Sequence, residues 1–148
     1  YQIRPHDRVL QFASLSFDGA AEEIYPCLSQ GGTLVLCTPE MRQSIPVLIQ
    51  KSRVWQVTVW DLPAAFWHLL VSELVKENLR LPESLRLIIT GGEEVFLDRV
   101  LTWHQQVEQA PQLMNSYGPT EATIVATLSQ LSHYPFSRQV IDIGRPIN

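Results

Sequence analysis

Side chains able to do chemistry are concentrated at residues 115–121, Asn-Ser-Tyr-Gly-Pro-Thr-Glu. The Tyr117 ring can stack on a base, and Gly118 allows a ligand to approach the backbone. The Thr120 hydroxyl can bond a phosphate oxygen, and the Glu121 carboxylate suits Mg²⁺ when phosphates supply the other ligands. A plain Gly-Pro turn with Thr120 capping the next element explains the same residues, and none of them decides alone.

Two carboxylates and a glycine pair also have alternative roles. Asp18 precedes a helix-like run, so it is either a helix N-cap or a partner for a substrate ammonium. Asp61 lies in an apolar neighbourhood, where a buried carboxylate needs a partner and a ligand cation is one candidate. Gly91-Gly92 would let a planar ligand lie on bare backbone, although such a pair is more often a tight turn.

The elements that must position these residues are short β-like runs alternating with helix-like stretches. Strands are predicted at 8–13, 33–37, 56–60, 85–90 and 112–114, and helices at 19–29, 46–52, 64–77 and 97–108. This alternation predicts right-handed crossovers and a parallel sheet. The expected fold is α/β, with a largely parallel five-stranded sheet flanked by helices in a doubly wound, flavodoxin-like arrangement.

The pattern changes after Thr123. Strands are predicted at 124–127 and 140–143, with a polar loop containing Pro135 between them. They would add one or two strands at the C-terminal end. We therefore expect residues 1–148 to form a single subdomain, with 124–148 as the start of the next one.

In such a sheet, ligands bind outside the carboxyl ends of the strands. This rule selects the loops at 14–19, 60–63, 90–94 and 115–121, where the unusual residues are concentrated. Composition narrows the class of protein further. The net charge is −4 with interleaved signs, which argues against nucleic-acid or membrane binding.

The cysteines and histidines indicate the redox compartment, and the absence of several motifs argues against common metal and nucleotide sites. The two cysteines and four histidines, His133 among them, show no metal-binding spacing, so free thiols in a reducing cytoplasm are expected. The N-terminal residues resemble neither a signal nor a transit peptide. Neither a dinucleotide-binding nor a P-loop glycine motif occurs, which disfavours an unrelated doubly wound nucleotide-binding domain.

Several motifs carry a family resemblance. Residues 115–123 resemble the Tyr-Gly-Pro-Thr-Glu signature of adenylate-forming enzymes. Phe17-Asp18 within 16–24 resembles a second signature, found in amino-acid adenylation domains of nonribosomal peptide synthetases. Residues 31–35 and 143–148 fit the same family in the same order, so the resemblance spans nearly the whole chain. It implies a piece of the large N-terminal part of an adenylation domain.

The resemblance implies a reaction and roles for individual residues. An amino acid and ATP would give an aminoacyl-adenylate and pyrophosphate, followed by acyl transfer to the phosphopantetheine thiol of a carrier-protein domain; further synthetase domains would be partners. Tyr117 would stack on adenine, Thr120 would contact the α-phosphate, and Glu121 would hold Mg²⁺. Thr120 and Glu121 are thus the implied catalytic residues. The implied ATP-binding residues are Gly91, Gly92, Asn115, Ser116, Tyr117, Gly118 and Thr120.

The resemblance also implies a substrate pocket. Phe17 would lie beside the active site, and Asp18 would hold the α-ammonium, which favours an α-amino acid over a fatty or aryl acid. The side-chain cavity would be lined by Asp18, Gly19, Glu22, Asp61, Ile89, Gly91, Ser116, Ile124 and Val125. Because two unpaired carboxylates are costly to bury, Glu22 and Asp61 predict a basic substrate, lysine or ornithine ahead of arginine.

Parts of the family's ATP site have no match in this chain. The phosphate-gripping loop is expected before Tyr1, and the ribose-binding Asp and catalytic Lys after Asn148. The 148 residues alone are therefore predicted to make no adenylate. Two alternatives remain: part of an acyl-CoA or aryl-acid ligase, and a non-catalytic module that binds ATP or an adenylate.

Overall fold

The computed structural model describes residues 1–132, 134 and 139–147; His133, Pro135 and Asn148, which figured in the sequence predictions, lie outside the described residues. The strands are β1 (Arg8–Gln11), β2 (Thr33–Leu36), β3 (Val59–Pro63), β4 (Leu87–Gly91), β5 (Gln112–Tyr117), β6 (Thr127–Gln130) and β7 (Arg145–Pro146). The helices are α1 (Gly19–Ser29), α2 (Pro39–Gln43), α3 (Ile45–Val54), α4 (Ala64–Lys76) and α5 (Leu97–Gln106), with a short 3-10 helix at Thr120–Ala122.

The strands form one seven-stranded sheet in the order β2-β1-β3-β4-β5-β6-β7. β1 is parallel to β2 and β3, whereas β6 is antiparallel to both β5 and β7. The order of the first five strands is that of flavodoxin-like doubly wound sheets. The predicted fold, a largely parallel sheet flanked by helices with two added strands at the C-terminal end, is confirmed.

The chain divides into two compact units. The first contains Tyr1–Asp61 and Leu81–Leu87, and the second contains Leu62–Arg80 and Ile88–Asn148. In the first unit, β1 and β2 pair from Arg8↔Thr33 to Gln11↔Leu36. The largest fully buried side chains of this unit include Leu10, Met41, Leu48 and Trp60.

Two local contacts explain how the first unit's helices begin and end. The Ser44 side chain accepts a hydrogen bond from the Val47 N–H at 3.5 Å, and Pro46 occupies the first turn of α3, which confirms the predicted start of that helix. The second contact lies at the C-terminus of α1, where the Gly32 N–H donates to the Cys27 carbonyl at 2.9 Å. This bond satisfies one of the carbonyls that a helix leaves free at its C-terminus.

A buried ion pair joins the chain before β1 to the segment before β4 in the first unit. Asp7 has no exposed surface, and it accepts hydrogen bonds from both Nε and Nη2 of Arg86. The Thr58 hydroxyl and the Arg4 N–H donate to the same carboxylate at 2.8 Å and 2.7 Å. Burial alone would raise the pKa of Asp7, but these donors outweigh it and lower the pKa to about 2.

In the second unit, aromatic side chains join α4 to α5. The Trp67 and Trp103 rings are both buried, with centroids 5.9 Å apart. The His68 ring stacks on Phe96 at 4.6 Å and accepts the Phe96 N–H at 3.2 Å. Burial first, and then the positive charge of Arg99, lower the pKa of His68. This histidine is a hydrogen-bonded, half-buried structural residue.

Most predicted elements are confirmed to within two residues at each end. The strand predicted at 56–60 is misplaced, because β3 runs from Val59 to Pro63. The Val57 N–H donates to the Ser52 carbonyl at 2.9 Å, so residues 56–57 complete the exit from α3 instead of entering the sheet. Asp61 therefore lies within a strand and not in the loop that was expected there.

The predictions around β5 and β6 are also corrected. β5 continues to Tyr117 instead of ending at Met114, because β6 pairs with it from Met114↔Gln130 to Tyr117↔Thr127. The strand predicted at 124–127 is wrong. Thr123 and Ile124 have φ angles of 60° and 76°, which no strand allows, and β6 begins only at Thr127.

Two further corrections concern short elements. The sequence prediction missed α2, a five-residue helix whose first residue is Pro39. Residues 140–143 form no strand, although the expected second addition to the sheet exists slightly later as β7. Within the described residues, none of the helices has the length and apolarity to cross a bilayer.

Candidate functional site

The second unit carries the residues expected to bind the nucleotide. Asn115 and Ser116 are buried in β5, and Tyr117 is the last residue of that strand, with 49% of its surface exposed. The three residues were expected in a loop, and the structure places them in the strand instead. Pairing with β6 fixes the backbone of Tyr117, and the ring is exposed and able to stack on a planar ligand.

Gly91, the last residue of β4, lies against Ser116. A Cβ at position 91 would lie 2.3 Å from the Ser116 carbonyl oxygen and 2.5 Å from its Oγ. Any larger residue would therefore have to push the two strand ends apart. The space around Gly92 is open, with no atom within 4 Å of a Cβ built there. The bare backbone of this glycine pair is thus next to the strand that ends in Tyr117.

Gly118 closes the turn that follows β5. A Cβ at position 118 would lie 2.4 Å from the Ile124 carbonyl oxygen, and the Ala126 N–H donates to the Tyr117 carbonyl at 2.8 Å. The chain folds back through Thr123 and Ile124 in left-handed conformations, which β-branched residues seldom adopt. The bond between Ala126 and Tyr117 closes the turn, and bonds from the Ala122 and Thr123 N–H groups to the Pro119 and Thr120 carbonyls give it local structure.

Thr120 and Glu121 lie in this turn, and both residues are exposed. Pro119 occupies the N-cap position of the 3-10 helix, which has no side-chain capping bond, so Thr120 is not a cap. Among the described residues, no group of three or more His, Cys, Asp or Glu side chains is placed to hold a metal ion. A single carboxylate such as Glu121 fits Mg²⁺ that keeps water and phosphate ligands, and does not fit an all-protein metal cage.

The first unit carries the residues expected to bind the amino group. Asp18 occupies the N-cap position of α1, but its carboxylate makes no capping hydrogen bond. Its backbone is helical, with φ −63° and ψ −27°, whereas a capping residue usually has an extended backbone. The alternative in which the Asp18 side chain caps the helix is therefore wrong, and its half-buried carboxylate is not used by the helix.

Two more carboxyl groups of the first unit, those of Glu22 and Asp61, have pKa values raised by burial and by neighbouring negative charges. Glu22 accepts a hydrogen bond from the Tyr1 hydroxyl, and its pKa is raised by burial and by the negative charge of Asp18. Burial, followed by the charges of Glu22 and Glu23, raises the pKa of Asp61 well above its ordinary value. None of the ion pairs within the described residues includes Asp18, Glu22 or Asp61.

Sequence reasoning missed Glu23. Its surface is only 2% exposed, and its carboxylate accepts the backbone N–H groups of Phe12 and Ala13 at 2.8 Å and 2.9 Å. Burial raises its pKa to about 7 against these hydrogen bonds. A signal existed, because Ala20 and Cys27 lie three and four residues away on the same, buried helix face.

The remaining predicted substrate residues divide between the units. Phe17 is 73% exposed and lines, with Asp18, an open depression of about 390 Å³ in the first unit. Gly19 is the first residue of α1. In the second unit, Ile89 is buried in β4, while Ile124 and Val125 are half buried in the turn before β6. In the first unit, the predicted residues lie at or next to the start of α1 and in β3. In the second unit, they lie in β4, in β5 and in the turn before β6.

Comparisons with known proteins identify the family. The family model described as AMP-binding enzyme matches residues 1–148. The chain is 37% identical over 147 residues to an isonitrile lipopeptide synthase of Streptomyces coeruleorubidus, covering 99% of this chain and 10% of that protein. It is 33% identical over 146 residues to bacitracin synthase 2 of Bacillus licheniformis, covering 99% of this chain and 5% of that protein.

Solved structures lead to the same family. The fold is similar to a crystal structure of the nonribosomal peptide synthetase FmoA3, with a TM-score of 0.84, 27% identity and coverage of 98% of this chain and 16% of that one. It is also similar to the Vibrio cholerae adenylation domain AlmE in complex with glycyl-adenosine-5'-phosphate, with a TM-score of 0.78, 26% identity and coverage of 99% and 26%. The chain spans a tenth or less of the curated relatives named above. It therefore belongs to the AMP-binding enzyme family, as part of an adenylation domain of the nonribosomal peptide synthetase type.

Proposed function

We propose that the complete protein containing this chain activates an α-amino acid with ATP. The products are an aminoacyl-adenylate and pyrophosphate, and the acyl group then passes to the phosphopantetheine thiol of a carrier-protein domain. The observation that carries this proposal is the Asp18 carboxylate, which begins α1 without capping it. A carboxylate left unused at this point is suited to hold a substrate ammonium.

The nucleotide is assigned to the second unit. Tyr117 stacks on adenine, Gly91 and Ser116 flank the ring, and the Thr120 hydroxyl donates to the α-phosphate. Glu121 holds Mg²⁺, which supplies positive charge to the phosphates when bound. The exposed Tyr117 ring and the free Thr120 side chain support these roles. The chain is proposed to belong to the large N-terminal part of the domain, with 124–148 as the start of its next subdomain.

The substrate side chain is proposed to be basic, with lysine or ornithine ahead of arginine. Support comes from Glu22 and Asp61, whose carboxyl groups each have a pKa raised by burial and by a neighbouring negative charge. A cationic side chain between them would relieve the repulsion and stabilise both ionised forms. An apolar side chain would leave the repulsion in place, which disfavours leucine or phenylalanine.

Amino-acid-dependent exchange between ATP and pyrophosphate in the complete protein tests both proposals. Lysine, ornithine, arginine, leucine, phenylalanine, a benzoate and a fatty acid form the substrate panel. We expect the highest kcat/KM for lysine or ornithine. A preference for leucine or phenylalanine refutes the basic side chain, and a preference for a free acid without an amino group refutes amino-acid activation. If nothing is activated but ATP·Mg²⁺ binds, the protein is a binding module.

The 148-residue chain alone is proposed to make no adenylate, because the residues assigned to ATP cover only part of the family's ATP site. The same exchange assay on the isolated chain, beside the complete protein at equal concentration, is the test. Substrate-dependent exchange by the isolated chain refutes this expectation.

A further inference from the structure

One residue just after β1, Phe12, is held by side chains from two helices. The Glu23 carboxylate of α1 accepts the Phe12 N–H at 2.8 Å and the neighbouring Ala13 N–H at 2.9 Å. Its other oxygen accepts the amide N–H of Gln11 at 3.1 Å. Three donors from the end of β1 therefore converge on one buried carboxylate.

Arg42 holds the same residue from α2. Its Nε donates to the Phe12 carbonyl at 2.9 Å, and its guanidinium lies 5.7 Å from the centroid of the Phe12 ring. The Glu23 carboxyl group thus contacts the backbone N–H of Phe12, and the Arg42 guanidinium contacts both the backbone carbonyl and the ring. We call Glu23, Phe12 and Arg42 the Phe12 anchor.

The anchor lies at the start of the segment that leads to Asp18. Three backbone hydrogen bonds between residues three apart shape this segment. The Phe17 N–H donates to the Ser14 carbonyl at 2.9 Å, the Ala20 N–H to the Phe17 carbonyl at 3.1 Å, and the Ala21 N–H to the Asp18 carbonyl at 2.8 Å. Because Glu23 belongs to the helix that Asp18 begins, its bonds tie the two ends of the segment 12–23 to each other. The position of Asp18 relative to β1 therefore depends on this closure.

Glu23 cannot act on a ligand directly, since only 2% of its surface is exposed. A buried carboxylate is also an expensive way to join a helix to a strand, because an apolar side chain would pack there without losing hydration of a charge. What the carboxylate adds is acceptors for the backbone N–H groups of Phe12, which is buried, and of Ala13, which is half buried. Its contribution is to the path of the backbone.

We propose that the Phe12 anchor is a positioning device for Asp18, and that Glu23 and Arg42 thereby set the affinity for the amino acid. Neither is a catalytic residue. The identity of the ligand rests on the proposed function, whereas the anchor itself rests on the hydrogen bonds of the first unit. Removing the contacts of either Glu23 or Arg42 should let the segment 12–18 move. The affinity for the substrate ammonium should then fall, while the affinity for ATP stays unchanged.

Hydrogen exchange in the complete protein tests the anchor without any assumption about activity. Glu23→Gln keeps the size of the side chain but turns an amide N–H₂ toward the Gln11 donor, and Arg42→Gln removes the exposed partner on the other side. Glu40→Gln, an exposed carboxylate of α2, is the matched control. We expect exchange in a peptide covering residues 12–18 to be about tenfold faster in both anchor variants and unchanged in the control. Unchanged exchange in both variants overturns the proposal.

The kinetic test separates positioning from simple loss of folded protein. We expect KM for the amino acid to rise about tenfold in both variants, with KM for ATP within about twofold of the wild type. A fall in kcat with an unchanged KM for the amino acid shows only a smaller folded fraction and overturns the positioning role. Arg42→Gln keeps the test decisive if Glu23→Gln fails to fold, because the Arg42 side chain is exposed.

Failure of the proposed function would give a different result. If the wild-type protein activates no amino acid, the proposed function and the ligand of Asp18 are both refuted. The exchange of residues 12–18 would still decide whether Glu23 and Arg42 hold the segment. The two failures are therefore distinguishable.

Discussion

Replacement of Gly91 by alanine should impair ATP binding through a displacement that the structure defines. A Cβ at this position would lie 2.3 Å from the Ser116 carbonyl oxygen, whereas ordinary contacts begin at 3.4 Å. The difference, 3.4 minus 2.3, is 1.1 Å, so the ends of β4 and β5 must separate by about 1 Å. Ser116 precedes Tyr117, and the displacement therefore reaches the ring proposed to stack on adenine.

A misplacement of about 1 Å can cost about 100-fold in rate, even when the mutation lies far from the chemistry. We therefore expect kcat/KM for ATP to fall about 100-fold in Gly91→Ala, which corresponds to about 2.7 kcal/mol of transition-state stabilisation. The assay is pyrophosphate exchange by the complete protein at saturating amino acid, with ATP varied. Calorimetric titration with ATP·Mg²⁺ separates weaker binding from slower chemistry.

Gly32→Ala is the matched control, because a Cβ there would also meet backbone, lying 3.1 Å from the carbonyl oxygens of Asp7 and Cys27. It should lower thermal stability while leaving kcat/KM for ATP within about threefold of the wild type. If Gly91→Ala leaves KM for ATP unchanged, or if the two variants lose ATP affinity equally, the assignment of adenine to the strand end of Tyr117 is refuted.

Three further predictions concern carboxylates. Asp7→Asn should lower the free energy of unfolding of the isolated chain by about 3 kcal/mol at neutral pH, since it leaves Arg86 without its buried partner. Because the folded-state pKa of Asp7 is lowered from 3.8 to about 2, its contribution is complete above about pH 4 and is lost as the pH falls toward 2. Urea unfolding of variant and wild type should converge over that range, and a constant difference would contradict this. Asp18→Asn should reduce kcat/KM for the amino acid about 100-fold but change the free energy of unfolding by less than about 0.5 kcal/mol, because no capping bond is lost; a large loss of stability would restore the capping role. Asp61→Asn should raise Tm at about pH 8 without amino acid, because a group whose folded-state pKa is raised makes the protein less stable as the pH rises. A lower Tm in that variant would show that the Asp61 carboxylate is stabilised by a partner.

The sequence predicted the elements whose signals are local. Helix α1 has the predicted bounds, Gly19–Ser29, because a glycine pair follows it one residue later, after the C-cap residue Gln30. The start of α3 is likewise local, since Ser44 caps it and Pro46 fits its first turn. The alternation of strands and helices predicted a doubly wound, largely parallel sheet, because few other topologies are compatible with it.

Other features depend on contacts between residues far apart in the sequence. β5 extends to Tyr117 only because β6 pairs with it, and no residue within 112–117 indicates that such a partner strand exists. In β5, a tertiary contact thus overrides the local signal for the end of the strand. β3 starts late for a local reason, because the Val57 N–H donates to the Ser52 carbonyl at the end of α3.

The candidate site shows the same division. The types of Tyr117, Thr120 and Glu121 suggested their chemistry before any fold was known. That Asp18 does not cap α1 could be learned only from the path of the chain, and the burial of Glu23 was indicated in the sequence only by Ala20 and Cys27 on the same helix face. A glutamate on an apolar helix face is ambiguous in a sequence, because it can equally point outward at the edge of that face.

The ion pair between Asp7 and Arg86 has a consequence for protein engineering. The first unit is discontinuous, consisting of Tyr1–Asp61 and Leu81–Leu87, and the pair joins its two segments. A chimera that exchanges substrate-binding segments between relatives with a junction near residue 61 would take Asp7 from one parent and the partner of Asp7 from the other. Where the second parent lacks an arginine at the position of Arg86, the graft would bury an uncompensated carboxylate at a cost of about 3–5 kcal/mol. Junctions placed before residue 7 and after residue 87 keep the pair within one parent, and they are the ones we expect to give folded chimeras.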